Sequence, residues 1–105
     1  MPKYLLSYHG GNPNLTEAEQ ESSMAAWGAW LGGLGDALVD GGNPIGAVAT
    51  ISSDGTTSHD GGSNPVNGYS LVTAPDIEGA LSLAKGCPIL SNGGSVEIGE
   101  TIDVM

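Results

Sequence analysis

Residues 66–84 read Val66-Asn67-Gly68-Tyr69-Ser70-Leu71-Val72-Thr73, then Ala74-Pro75-Asp76, then Ile77-Glu78-Gly79-Ala80-Leu81-Ser82-Leu83-Ala84. The first block is rich in β-branched and aromatic residues, as a strand requires. Thr73, Pro75, Asp76 and Glu78 mark a helix start; Ile77, Ala80, Leu81 and Ala84 share one helical face, and Gly86 with Pro88 closes the run. The same order occurs near the N-terminus. Tyr4 to His9 is short, apolar and aromatic, and stops at Gly10-Gly11-Asn12-Pro13 as a strand entering a loop does. Thr16 with Glu19 forms a capping box, and Glu17 and Glu21 sit where a helix dipole favours carboxylates. Met24, Trp27, Leu31 and Leu34 then recur at spacings of three and four, flanked by Trp30, which gives that helix one apolar face.

Each strand–helix pair leads to another strand. Ala37-Leu38-Val39 follows the first helix, and Val96, Ile98 and Ile102 define one face of a last strand with Glu97 and Thr101 on the other. Between them, Ala47 to Ser52 and Thr56 to His59 flank Asp54-Gly55, which predicts an inserted hairpin with a two-residue turn. Two βαβ units in series with right-handed crossovers predict one α+β domain over residues 1–105: a ferredoxin-like split βαβ sheet, both helices on one side, with an inserted β-hairpin. The other sheet face is then bare. Its apolar content predicts a homodimer in which two such sheets face each other.

Composition narrows the partners. The chain carries two Lys, no Arg and twelve acidic residues, a formal charge of −10. It cannot neutralise a row of phosphates, which excludes a nucleic-acid backbone or an anionic membrane as partner and disfavours phosphorylated or carboxylated ligands. A neutral small molecule fits better. The lone Cys87, the missing apolar leader and the absence of a run of ~20 apolar residues point to a cytoplasmic protein.

The stretches Trp27-Gly28-Ala29-Trp30-Leu31, Leu38-Val39-Asp40-Gly41, Asp60-Gly61, Gly68-Tyr69-Ser70, Gly86-Cys87-Pro88 and Gly94-Ser95-Val96-Glu97 together resemble the YCII-related, or DGPF-domain, family over nearly the whole chain. That resemblance implies a ferredoxin-like fold in a dimeric α/β-barrel assembly, in small bacterial proteins of unassigned biochemistry. Two departures stand out. The motif Asp-Gly-Pro-Phe is replaced by Asp60-Gly61-Gly62-Ser63, and the first helix lacks the His that enzyme-like relatives carry. No catalytic role is carried over from the family.

The chain also echoes itself: His9-Gly10-Gly11-Asn12-Pro13, Asp40-Gly41-Gly42-Asn43-Pro44 and Asp60-Gly61-Gly62-Ser63-Asn64-Pro65. In the expected topology all three turns lie at one sheet edge. A His beside carboxylates there is suited to proton transfer at a small-molecule site in the dimer cleft, with His9 as acid/base, Asp40 or Asp60 orienting it, and Tyr69 donating from its phenol. The competing reading is a noncatalytic binding or regulatory homodimer. In it, Gly, Asn and Pro are what tight turns need, each Asp forms an Asx turn, and Trp27 and Trp30 are core. His59-Asp60 with His9 and Asp40 lacks metal-ligand spacing, and no cofactor motif survives its context, since Gly32-Gly33-Leu34-Gly35 ends a helix instead of opening one.

Overall fold

The computed structural model describes residues 1–104, and its element order is β1 (Lys3–His9), α1 (Glu17–Leu34), β2 (Leu38–Asp40), β3 (Thr50–Ile51), β4 (Thr57–Ser58), β5 (Val66–Thr73), α2 (Ile77–Ala84) and β6 (Ser95–Glu100). The main sheet has the order β2-β5-β1-β6, and every neighbouring pair is antiparallel. β1 and β2 therefore run parallel with β5 between them, the split βαβ arrangement of a ferredoxin-like α+β fold. Among the described residues no helix is long and apolar enough to cross a membrane.

Alternation along β1 sets the two faces. Tyr4, Leu6 and Tyr8 are buried against the helices with Ser70, Val72 and Ala80, while Leu5 and Ser7 face away. Glu97 stands opposite Ser7 in the ladder and Leu71 opposite Leu5, so they share that open face.

The capping box forms. Glu19 N–H donates to Thr16 Oγ1 at 3.2 Å and Thr16 N–H to Glu19 Oε1 at 3.1 Å, and the Thr16 backbone amide, helped by its hydroxyl, holds the Glu19 carboxyl below its usual range. The apolar face of α1 is displaced from the expected one. Trp27, Trp30 and Leu34 pack on the core, whereas Met24 is 74% exposed. At 100° per residue Trp27, Trp30 and Leu34 cluster within one sector, and Met24 with Leu31 falls on its flank. Leu34 lies near the centre of that sector, and Trp30, expected beside the stripe, forms its far edge and packs on the core.

The hairpin is shorter than its sequence suggests, pairing only Thr50 with Ser58 and Ile51 with Thr57. Its turn also differs. Gly55 alone has positive φ, +91°, with Gly55 N–H bonded to Ser52 O and the Asp54 carboxylate accepting from Thr56 N–H. Ser52 N–H donates to Thr56 O at 2.7 Å, so the loop closes over the three residues Ser53, Asp54 and Gly55, with glycine at its left-handed position. Ile102, expected on the last strand, lies beyond it and is 76% exposed.

Candidate functional site

The three echoed turns do meet at one end of the sheet. Asn67 Nδ2 donates to Gly10 O, Ile45 N–H to Asn67 O, Tyr69 N–H to Asn43 O, and His9 Nδ1 stands 3.1 Å from both Asn64 O and Pro65 O. Their carboxylates serve the turns themselves. Asp40 Oδ1 accepts from Gly42 N–H at 2.8 Å, Asp60 Oδ1 from Gly62 N–H at 3.2 Å, and in the first turn Asn12 plays the same part for Asn14. These are Asx turns, and the repeated glycine pair has a physical cause: Gly11, Gly42 and Gly62 all adopt positive φ.

His9 is placed by the bulge where β1 and β5 shift register between Tyr8 and His9. It is 8% exposed. Because both neighbours of Nδ1 are carbonyl oxygens, Nδ1 carries a proton and donates it. Nε2 is fully buried, 3.3 Å from Glu97 Oε1 but out of line for a hydrogen bond. Among the described residues, Glu97 is the one carboxylate within ion-pair distance of this ring. Glu97 stands on the strand face that alternation along β6 assigns to it, and the cross-strand register, which alternation does not encode, brings it to His9. Tyr69, opposite Ser7, lies on the same sheet face as Glu97.

On the helix face a second polar thread runs beneath aromatic rings. Tyr8 Oη donates to Ser70 Oγ at 2.7 Å and Ser70 Oγ donates to Gly41 O at 2.7 Å, tying β1, β5 and the loop after β2 together. Tyr8 meets Trp27 edge to face at 4.9 Å, and Trp27 meets Trp30 in the same way at 5.7 Å. Burial raises the Tyr8 phenol from 10.0 to about 12, the Ser70 bond opposing it. A phenol raised on folding adds stability that is fully present below pH 10 and lost as the pH climbs through 12, because the unfolded chain ionises first. Alkaline denaturation followed by circular dichroism should therefore steepen between pH 10 and pH 12, and Tyr8→Phe should flatten it; an unchanged profile in Tyr8→Phe argues against a buried phenol.

Between these rings and the Gly41–Pro44 loop opens a cleft of about 360 Å³, walled by Tyr8, Trp27, Leu31, Ile89 and the chain at Gly68. Among the described residues no group of three or more His, Cys, Asp or Glu side chains stands together as a metal site would need. Cys87 is buried, and burial pushes its thiol up, which leaves it a poor nucleophile. No family model matches this chain, and no curated protein matches it.

Proposed function

We propose that this chain is a homodimeric small-molecule-binding protein of the YCII-related type, its two copies joined over the open sheet face into an α/β barrel. The observation that carries the reading is surface. A 10.5 kDa globular monomer exposes about 5,400 Å² by the usual scaling, and this chain exposes 6835 Å². The excess exceeds the ~800 Å² that each partner contributes to a standard interface. Shape agrees with it: the radius of gyration is 15.0 Å against about 13 Å for a compact chain of this length, and the molecule is a slab only 18 Å thick. Two such slabs stacked sheet to sheet make a body of ordinary proportions, with Leu5 and Leu71 at the contact.

Light scattering at micromolar concentration should give twice 10.5 kDa, and Leu5→Glu with Leu71→Glu should give one copy of unchanged circular dichroism. A monomer in the parent protein overturns the reading. With −10 per copy the dimer should also weaken as salt is removed, through unscreened repulsion.

The binding reading is preferred over proton-transfer chemistry because Asp40 and Asp60 already serve their own turns and His9 Nε2 is buried. One observation favours the catalytic reading: His9 and Glu97 form a His–carboxylate pair on the open sheet face that a partner sheet would cover. In that reading Glu97 moves aside, Nε2 exchanges a proton with a neutral substrate, and Tyr69 donates to a substrate oxygen.

A further inference from the structure

We propose that the cleft between α1 and the Gly41–Pro44 loop binds a neutral, flat aromatic molecule that carries a hydrogen-bond acceptor. This deepens the binding reading above and rests on it, but the cleft is built within one copy of the chain and does not need the dimer. Its volume of about 360 Å³ lies at the small end of ligand cavities, enough for one or two fused rings. None of its lining residues is charged. A charged ligand would lose its hydration there with no counter-ion to replace it, and the acidic chain around the cleft would repel an anion before it arrived.

The walls supply what a ring needs. Tyr8 and Trp27 give aromatic surface, Leu31 and Ile89 give aliphatic surface, and ring–ring contacts add to simple burial. The two indoles are not equivalent. Trp30 Nε1–H donates to Leu83 O at 3.1 Å, whereas the indole N–H of Trp27 has no acceptor among the described residues and is not enclosed. Trp27 lines the cleft, so the acceptor assigned to that solvent-accessible N–H is a carbonyl or hydroxyl oxygen on the ligand, in place of water. The Tyr8 hydroxyl is held by Ser70, and the Tyr8–Ser70–Gly41 thread fixes the floor and the loop before any ligand arrives.

Gly41 offers a clean test. Its φ is not positive, and a Cβ built on it would stand 4.0 Å from Leu31 Cδ1 across the cleft with nothing closer. Gly41→Leu therefore fills the cleft from its loop side without straining the backbone. The full ¹⁵N-labelled chain is titrated with 1-naphthol and with 1-naphthoate, reading the Trp27 indole N–H resonance, assigned through Trp27→Phe. The proposal expects 1-naphthol to shift this resonance saturably and more than that of Trp30, 1-naphthoate to leave it in place, and Gly41→Leu to weaken naphthol at least ~tenfold. If Gly41→Leu loses the native spectrum, Leu31→Trp narrows the cleft from the opposite wall and must give the same loss. No shift with 1-naphthol, equal binding of 1-naphthoate, or undiminished binding in the filled variant overturns the proposal. Binding lost in a protein that still dimerises removes the ligand chemistry alone; binding retained in a monomer removes the dimer alone.

Discussion

Gly42→Ala is expected to cost more than about 3 kcal/mol in urea melts, while the same change at Gly11 or Gly62 costs about 1 kcal/mol. All three glycines are the second of a Gly-Gly pair and all have positive φ, at +98°, +70° and +82° for Gly11, Gly42 and Gly62, so the backbone penalty is shared. Their surroundings differ. A Cβ on Gly62 meets nothing within 4 Å, and one on Gly11 meets only Ile89 Cγ1 at 3.8 Å. On Gly42 it would sit 1.7 Å from the carbonyl oxygen of Tyr69 and 2.7 Å from its carbonyl carbon, and both are backbone atoms of a central strand. Neither side can yield without breaking the bonds that run from the loop to β5, Tyr69 N–H to Asn43 O and Ile45 N–H to Asn67 O. Equal costs at the three positions would mean that the loop does not lie on β5 as described, and the wall of the cleft would go with it.

The alternation of Tyr4, Leu6 and Tyr8, the capping box at Thr16 and Glu19, and the helix start at Asp76 are local signals, and each is found where its residues put it. From their order alone the strand sequence β2-β5-β1-β6 follows through the handedness of the crossovers. The convergence of the three Gly-rich turns was legible for the same reason, since topology fixes which strand ends lie together.

What a side chain does on arrival was less legible. Asp40 and Asp60 face a choice between an amide two residues on and an imidazole far along the chain, and the local bond closes with almost no loss of chain entropy. Register decided the rest. Glu97 reaches His9 because Ser7 stands opposite Glu97 and His9 opposite Ser95, a pairing that no periodicity within β6 encodes. Ser70 was hidden in a similar way: on β5 it reads as one more strand residue, and only its place opposite Leu6, two residues from Tyr8 on the same sheet face, makes it the partner of a buried phenol.

His9→Ala should destabilise the protein by about 2 kcal/mol, whereas Glu97→Gln should change stability by no more than about 0.5 kcal/mol. His9 stands at a strand end next to a loop, yet it is buried. The side chain is 11% exposed, and its Nδ1–H faces two carbonyls of the segment that leads from the hairpin back into β5. Removing it deletes a buried contact and releases Asn64 and Pro65, so the 60–65 segment should also become the first site of proteolytic nicking. Glu97 is different in kind: its side chain is 76% exposed and meets Nε2 out of line, so solvent screens most of what the charge offers. Urea melts of the two variants with limited proteolysis separate the roles. A large loss in Glu97→Gln with a small one in His9→Ala would make the ion pair the principal interaction and strengthen the proton-transfer reading. The expected order makes His9 a latch that holds the base of the hairpin against the sheet. In a dimer closed over the open face, that latch would lie beside the partner, and the hairpin it anchors, exposed from Ala49 to Asp60, would have a surface to lie on.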